Sequence, residues 1–212
     1  MRIFLLIISV LYFNLMTADF TEAQQGTTET WKFKFTLNYG YSPATNNWEY
    51  SHPFYSETGI QQTLSETGSF NAKSIFGGGV ELSKGYFGIS ANAGVIPAEI
   101  KVDNPYEIYN FTSFFLGIEG IFFPLGNPTG SLVPLLKIGG GGIKSSGDLE
   151  NSALYYSLNG GVRTFLTENF GAALMIKAMH ITYDEIPLNE NVTGDISFTN
   201  FSIHVEAVYC LN

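Results

Sequence analysis

From Trp31 to Tyr41 every odd-numbered residue is apolar or aromatic, and every even-numbered residue is polar or glycine. Successive side chains of a strand point to opposite faces, so this run has one greasy and one polar face. A helix repeats at 3.6 residues and would scatter these side chains around its circumference. The segment therefore reads as a β-strand, and whatever the chain folds into must accommodate a sheet with two very different faces.

Seven further segments repeat the pattern, at about 74–84, 86–96, 111–123, 132–143, 154–166, 170–182 and 199–209. Apolar rows such as Phe87, Ile89, Ala91, Ala93 and Val95 face rows such as Gly88, Ser90, Asn92 and Gly94. Phe115, Ile121, Val133 and Leu135 interrupt the polar rows, and Met175 shares a row with Lys177. Connections alternate in length. Lys84-Gly85, Leu125–Ser131 and Thr167–Asn169 are short and carry turn-forming Gly, Pro and Asn. The stretches 42–73, 97–110, 144–153 and 183–198 are longer and more polar, which predicts long loops on the opposite side.

The direction of the polar face follows from the charges. Lys32, Lys34, Glu81, Glu119, Lys137, Arg163, Lys177 and Glu206 all fall on the polar rows, together with His204, and no charge interrupts the middle of an apolar row. A water-soluble barrel would keep its apolar rows inside and its charges in solvent. Lipid demands the reverse, because Lys or Arg on the lipid face near the midplane costs about 2–4 kcal/mol. Eight strands enclose an interior only wide enough for side chains to fill it. The expected architecture is thus an all-β, eight-stranded antiparallel up-and-down transmembrane β-barrel, with short periplasmic turns, long extracellular loops and a lumen plugged by charges. Glu119 and Lys137 lie equally far from Pro128, which predicts a cross-strand pair. Glu206 is expected near Lys32 or Lys34, where the last strand closes on the first.

The first residues fit this destination. Arg2 precedes an apolar run through Met16, and Thr21-Glu22-Ala23 offers a small-x-Ala cleavage site, so residues 1–23 read as a secretory signal peptide. Residues 24–30 form a short polar segment before the barrel at 31–212. Removal of the signal leaves nine basic and seventeen acidic residues, a balance that argues against nucleic-acid binding. Cys210 is the sole cysteine, so no internal disulfide can form. After the signal, no run approaches the roughly 18 apolar residues needed for a spanning helix.

Over nearly all of residues 31–212 the chain resembles the small outer-membrane barrel families of the OmpA transmembrane domain, OmpX and OmpW. The resemblance lies in the eight segments, alternating connections and charged inner rows. Many such proteins end on an aromatic residue, whereas this chain ends Tyr209-Cys210-Leu211-Asn212. The resemblance implies a monomer in the bacterial outer membrane. Its implied partners are the assembly machinery, envelope lipids and lipopolysaccharide.

Motifs for chemistry are sparse. The lipid A deacylase barrels are similar in size and use His-x-Ser on the lipid-facing surface; here the same spacing gives His180-Ile181-Thr182, with Asp184 and Glu185 nearby. Threonine is a poor substitute for an activated serine, and no third member is evident. Ser202-Ile203-His204 points inward, away from lipid. The glycines at 139–142 lack the Lys-Ser/Thr ending of a phosphate loop. Three histidines and one cysteine show no metal-ligand spacing. No catalytic residue, metal or cofactor is therefore expected. The loops are rich in carboxylates, which form either a solvated acidic surface or diffuse divalent-cation bridges to lipopolysaccharide. Trp48, Tyr50, Phe54 and Tyr55 in the first loop are candidates for exposed surface contacts. These features favour a non-enzymatic structural or surface-interaction protein, such as one serving adhesion or envelope integrity. The alternatives are a narrow small-solute channel and a lipid A-modifying enzyme centred on His180.

Overall fold

A computed structural model describes residues 30–43, 45–55, 61–103, 106–189 and 192–211, with side chains described outside 48–55, 61–66, 184–189 and 192–194. The expected signal peptide at 1–23, and residues 24–29 after it, lie outside this set. The described residues form ten strands: β1 Lys32–Tyr41, β2 Asn46–Tyr55, β3 Gln61–Asn71, β4 Ser74–Lys84, β5 Phe87–Asp103, β6 Tyr106–Phe122, β7 Val133–Gly147, β8 Ser152–Phe165, β9 Phe170–Asn189 and β10 Val192–Leu211. Eight of them close an antiparallel ring in the order β1–β4–β5–β6–β7–β8–β9–β10. The seam is the β1–β10 ladder, running from Phe33 opposite Leu211 to Tyr41 opposite Ile203.

The apolar rows face outward. Leu37, Leu116, Ile118, Ile138, Tyr156 and Ile176 are among the most exposed large apolar residues, while Lys34, Glu81, Arg163 and Glu206 are buried. Aromatics mark both edges of the belt, with Trp31, Tyr86 and Phe87 at the turn end and Tyr41, Phe76 and Phe114 at the other. Backbone groups in hydrocarbon need internal partners, and a closed ring of ladders supplies them. The turn end is compact: Gly85 adopts φ 55° between β4 and β5, a conformation glycine takes without a Cβ penalty.

On the far side, where long connections are anticipated, much of their length is paired strand. Residues 97–103 and 106–110 continue β5 and β6, paired from Phe87–Phe122 to Asp103–Tyr106. β9 and β10 reach 20 residues each, about 65 Å along the strand, whereas crossing the bilayer takes about 9–11 residues. Within the first connection, β2 and β3 form a hairpin, and β3 joins β5 from Gly68–Val102 to Asn71–Glu99. The physical reason is an inversion of the alternation. In Ala98-Glu99-Ile100-Lys101-Val102-Asp103 the apolar residues point inward and the charged ones outward, as a sheet standing in water requires. Anticipating an apolar outward row ends the strand where the membrane ends.

Candidate functional site: the barrel lumen

The interior is filled in three layers. Nearest the turn end, Ile121, Phe123, Val133, Leu135, Ala173 and Met175 form an apolar cluster. Ile121, Val133 and Leu135, three of the four residues that interrupt the polar rows in the sequence, are among them, whereas the fourth, Phe115, belongs to the outermost layer. Their inward position is what the sheet's parity dictates, and they meet because the barrel is narrow enough for opposing walls to touch.

The charged layer lies above. Arg163 on β8 donates through Nη1 and Nη2 to Glu81 on β4, at 2.9 and 2.8 Å, and through Nη2 to Glu206 on β10 at 2.8 Å. Lys34 on β1 donates to Glu81 at 2.7 Å and to Ser83 at 2.7 Å. Lys137 on β7 donates to Glu206 at 3.0 Å. A second group surrounds Glu119 on β6, which accepts from Asn92, Ser157, Asn159 and Lys177 at 3.0, 3.0, 2.9 and 3.3 Å. His204 shares a 2.8 Å hydrogen bond with Ser202. Two lysines face aromatic rings: Lys34 lies 5.2 Å from the centre of Phe123, and Lys177 5.8 Å from that of Phe115. The ring quadrupole favours such a cation.

Of the nine residues anticipated for a lumen network, eight are buried inside, and Lys32 is half-buried at the start of β1. The pairings differ from those expected. Glu119 stands opposite Gly139, and Lys137 opposite Ile121, so the register is offset by two residues from reflection about Pro128. Glu119 takes Lys177 instead, and Lys137 takes Glu206. Glu206 meets Arg163 and Lys137 rather than Lys32 or Lys34. For Glu119 and Glu206, partners across the lumen replace the expected partners along the wall, whereas Lys34 and Glu81 pair directly across neighbouring strands.

The outermost layer is apolar and larger. Phe70, Phe111, Phe115, Tyr155, Tyr183 and Phe198 belong to it, with Ile75, Ile96, Ile100, Met179 and Ile196 among their buried companions. Phe70 stacks on Phe198 with ring centres 3.9 Å apart. A small cavity of about 20 Å³ touches Asn38, Asn159, Lys177 and His204 in the charged layer. That volume accommodates about one water molecule.

Other candidate residues lie elsewhere. Trp48, Tyr50, Phe54 and Tyr55 occupy β2, where their backbones pair with Gly68, Glu66, Gln62 and Gln61; their side chains lie outside the described set. His180 faces outward, its Nδ1 sharing a 3.1 Å hydrogen bond with Thr199, while Thr182 bonds Ser197 at 3.0 Å. His180 and Thr182 therefore engage different partners on β10, and the side chains of Asp184 and Glu185 lie outside the described set. Among the described residues, no group of three or more His, Cys, Asp and Glu is placed to hold a metal ion.

No protein-family model matches the sequence. No curated protein matches it either. Solved structures do. The outer membrane protein OprG from Pseudomonas aeruginosa superposes with a TM-score of 0.54 at 10% identity, covering 89% of this chain and 99% of that one. Neisserial surface protein A (NspA) gives a TM-score of 0.48 at 12% identity over 84% of this chain and 98% of that one. Outer membrane protein AlkL gives 0.45 at 11% identity over 89% and 93%. At the identity seen with OprG, what is shared is the fold. With its lipid-facing belt, closed ladder and interior charges, the chain is an eight-stranded transmembrane β-barrel of the bacterial outer-membrane type.

Proposed function

We propose that this barrel is a closed, non-enzymatic protein of the cell envelope that strengthens the outer membrane and presents a stiff surface for interaction outside it. The observation that carries this reading is the filled lumen: an ion-paired layer between two apolar ones. An ion would have to shed its hydration and displace packed aromatics to pass. The β-structured extensions above the belt support the second half of the proposal, because paired strands hold a surface more rigidly than irregular loops do. Envelope lipids, including lipopolysaccharide, are the proposed surroundings, with the barrel as a monomer.

Planar-bilayer recording tests the closed state. Purified protein inserted at low density should give no steady ohmic conductance above the bare membrane. Reproducible open steps would replace this reading with that of a narrow channel. Analysis of lipid A acylation in cells expressing wild type or His180→Ala tests the enzymatic alternative, and identical acyl profiles are expected.

A further inference from the structure

The outer wall is not uniformly convex. Over β4 and β5 it carries an open apolar groove of about 180 Å³, bordered by Phe33, Val80, Leu82, Ile89 and Ile118 and floored by Ala91. Its floor arises from the ladder. Ala91 stands between Val80 and Ile118, and Ile89 between Leu82 and Gly120, so a short side chain sits among long ones. A Cβ at Gly120 would meet only the Ile138 carbonyl oxygen, at 3.8 Å, which leaves that corner open. The backbone at Glu81 and Ser90 completes the floor, because both side chains point into the lumen.

Lys84 stands at the turn end of the groove. It follows Leu82 on the outward row, about 7 Å further along the strand, and it is exposed. Among the described residues it has no carboxylate partner. Tyr86 and Phe87 flank it at the belt edge, where aromatic girdles meet the headgroups. A cation without a counter-ion next to an apolar trough matches one kind of occupant: an acyl chain joined to a phosphate. We propose that this groove and Lys84 form a specific site for one anionic phospholipid of the periplasmic leaflet. One acyl chain lies across Ala91, and the phosphate accepts from the Lys84 ammonium. This inference rests on the reading of the chain as a membrane barrel.

Native mass spectrometry of detergent-purified, folded barrel tests the site, with phosphatidylglycerol or diacylglycerol added as the probe lipid. Wild type should retain one phosphatidylglycerol and little diacylglycerol. Ala91→Phe, which fills the groove from a lipid-facing position, should lose that retention, whereas Ile138→Phe on the outward row of β7 should keep it. Lys84→Gln should weaken retention about tenfold, the expected loss for one charge-assisted contact. Equal retention by wild type and a folded Ala91→Phe barrel, or equal retention of the two lipids, would overturn the site alone. Failure of wild type to enter vesicles would remove the membrane reading and the site together.

Discussion

Glu81 and Arg163 face each other from opposite sides of the ring, β4 and β8 being four places apart in the closed sheet, and meet through two parallel hydrogen bonds. The fork of a guanidinium matches a carboxylate in this way, which adds geometric specificity to the charge. Around this pair the buried layer holds four cations, Lys34, Lys137, Arg163 and Lys177, against three carboxylates, Glu81, Glu119 and Glu206.

That imbalance makes the consequences of mutation unequal. Glu81→Gln leaves four cations with two carboxylates and exchanges the carboxylate shared by Lys34 and Arg163 for a neutral amide with a single accepting oxygen. Arg163→Met leaves three of each, with Lys34 still on Glu81 and Lys137 still on Glu206. Breaking a buried pair by removing one partner costs about 3–5 kcal/mol when a charge is left uncompensated. Glu81→Gln should fall in that range, and Arg163→Met should cost less. Urea unfolding in lipid vesicles measures both; an Arg163→Met barrel less stable than Glu81→Gln would contradict the charge argument.

The eight spanning strands and the inward direction of their charges are legible in the sequence because lipid enforces a strict outward apolar row. Leu116, Ile138 and Ile176 could not be replaced by polar groups without cost, so the row survives as a pattern. Partners inside the lumen are less legible. Adjacent strands can be aligned by reflecting about a turn, but Glu206 and Lys137 sit three strands apart and meet only because the ring closes. Reflection about Pro128 also missed the true register by two residues, since the seven-residue connection does not fix where pairing begins. The strand extensions were hidden by their inverted pattern, in which Ile100 and Val102 face inward while Glu99 and Lys101 face water.

Adjacent glycines on β7 offer a test of that parity. A Cβ on Gly141 would come within 2.6 Å of Gly117 Cα and closer still to the Leu116 carbonyl oxygen, whereas nothing lies within 4 Å of a Cβ on Gly142. Gly141→Ala forces backbone apart and should cost about 1–3 kcal/mol. Gly142→Ala meets only lipid and should change stability by no more than about 0.5 kcal/mol. The same unfolding assay ranks them, and a reversed order would mean the two faces have been exchanged.

The lipid belt predicts a depth dependence. Ile118→Arg places a charge on the outward row midway between Phe114 and Phe122, where Ile118 is 60% exposed, and should cost about 2–4 kcal/mol. Ser197→Arg, on the outward row of β10 beyond the belt, should be nearly neutral. Stability measured in vesicles should separate the two, and equal costs would be incompatible with a belt ending near Thr199.

The outermost layer should behave as a core that supports the extensions more than the ring. Phe198 on β10 stacks on Phe70 of β3 and lies 6.1 Å from Tyr183 of β9, so it joins three strands above the belt. The spanning part of β10 is held independently, by ladders to β1 and β9. Phe198→Ala removes a large buried side chain, a change that typically costs about 3–5 kcal/mol where the site cannot collapse. Local unfolding can confine such a loss to the weaker unit. Hydrogen exchange should therefore accelerate in β3 and in the outer halves of β9 and β10, while exchange in the β1–β10 seam and heat-resistant mobility on gels stay as in wild type. Uniform acceleration around the whole ring would show instead that extension and barrel unfold as one unit, and the outer core would then be a determinant of the barrel itself.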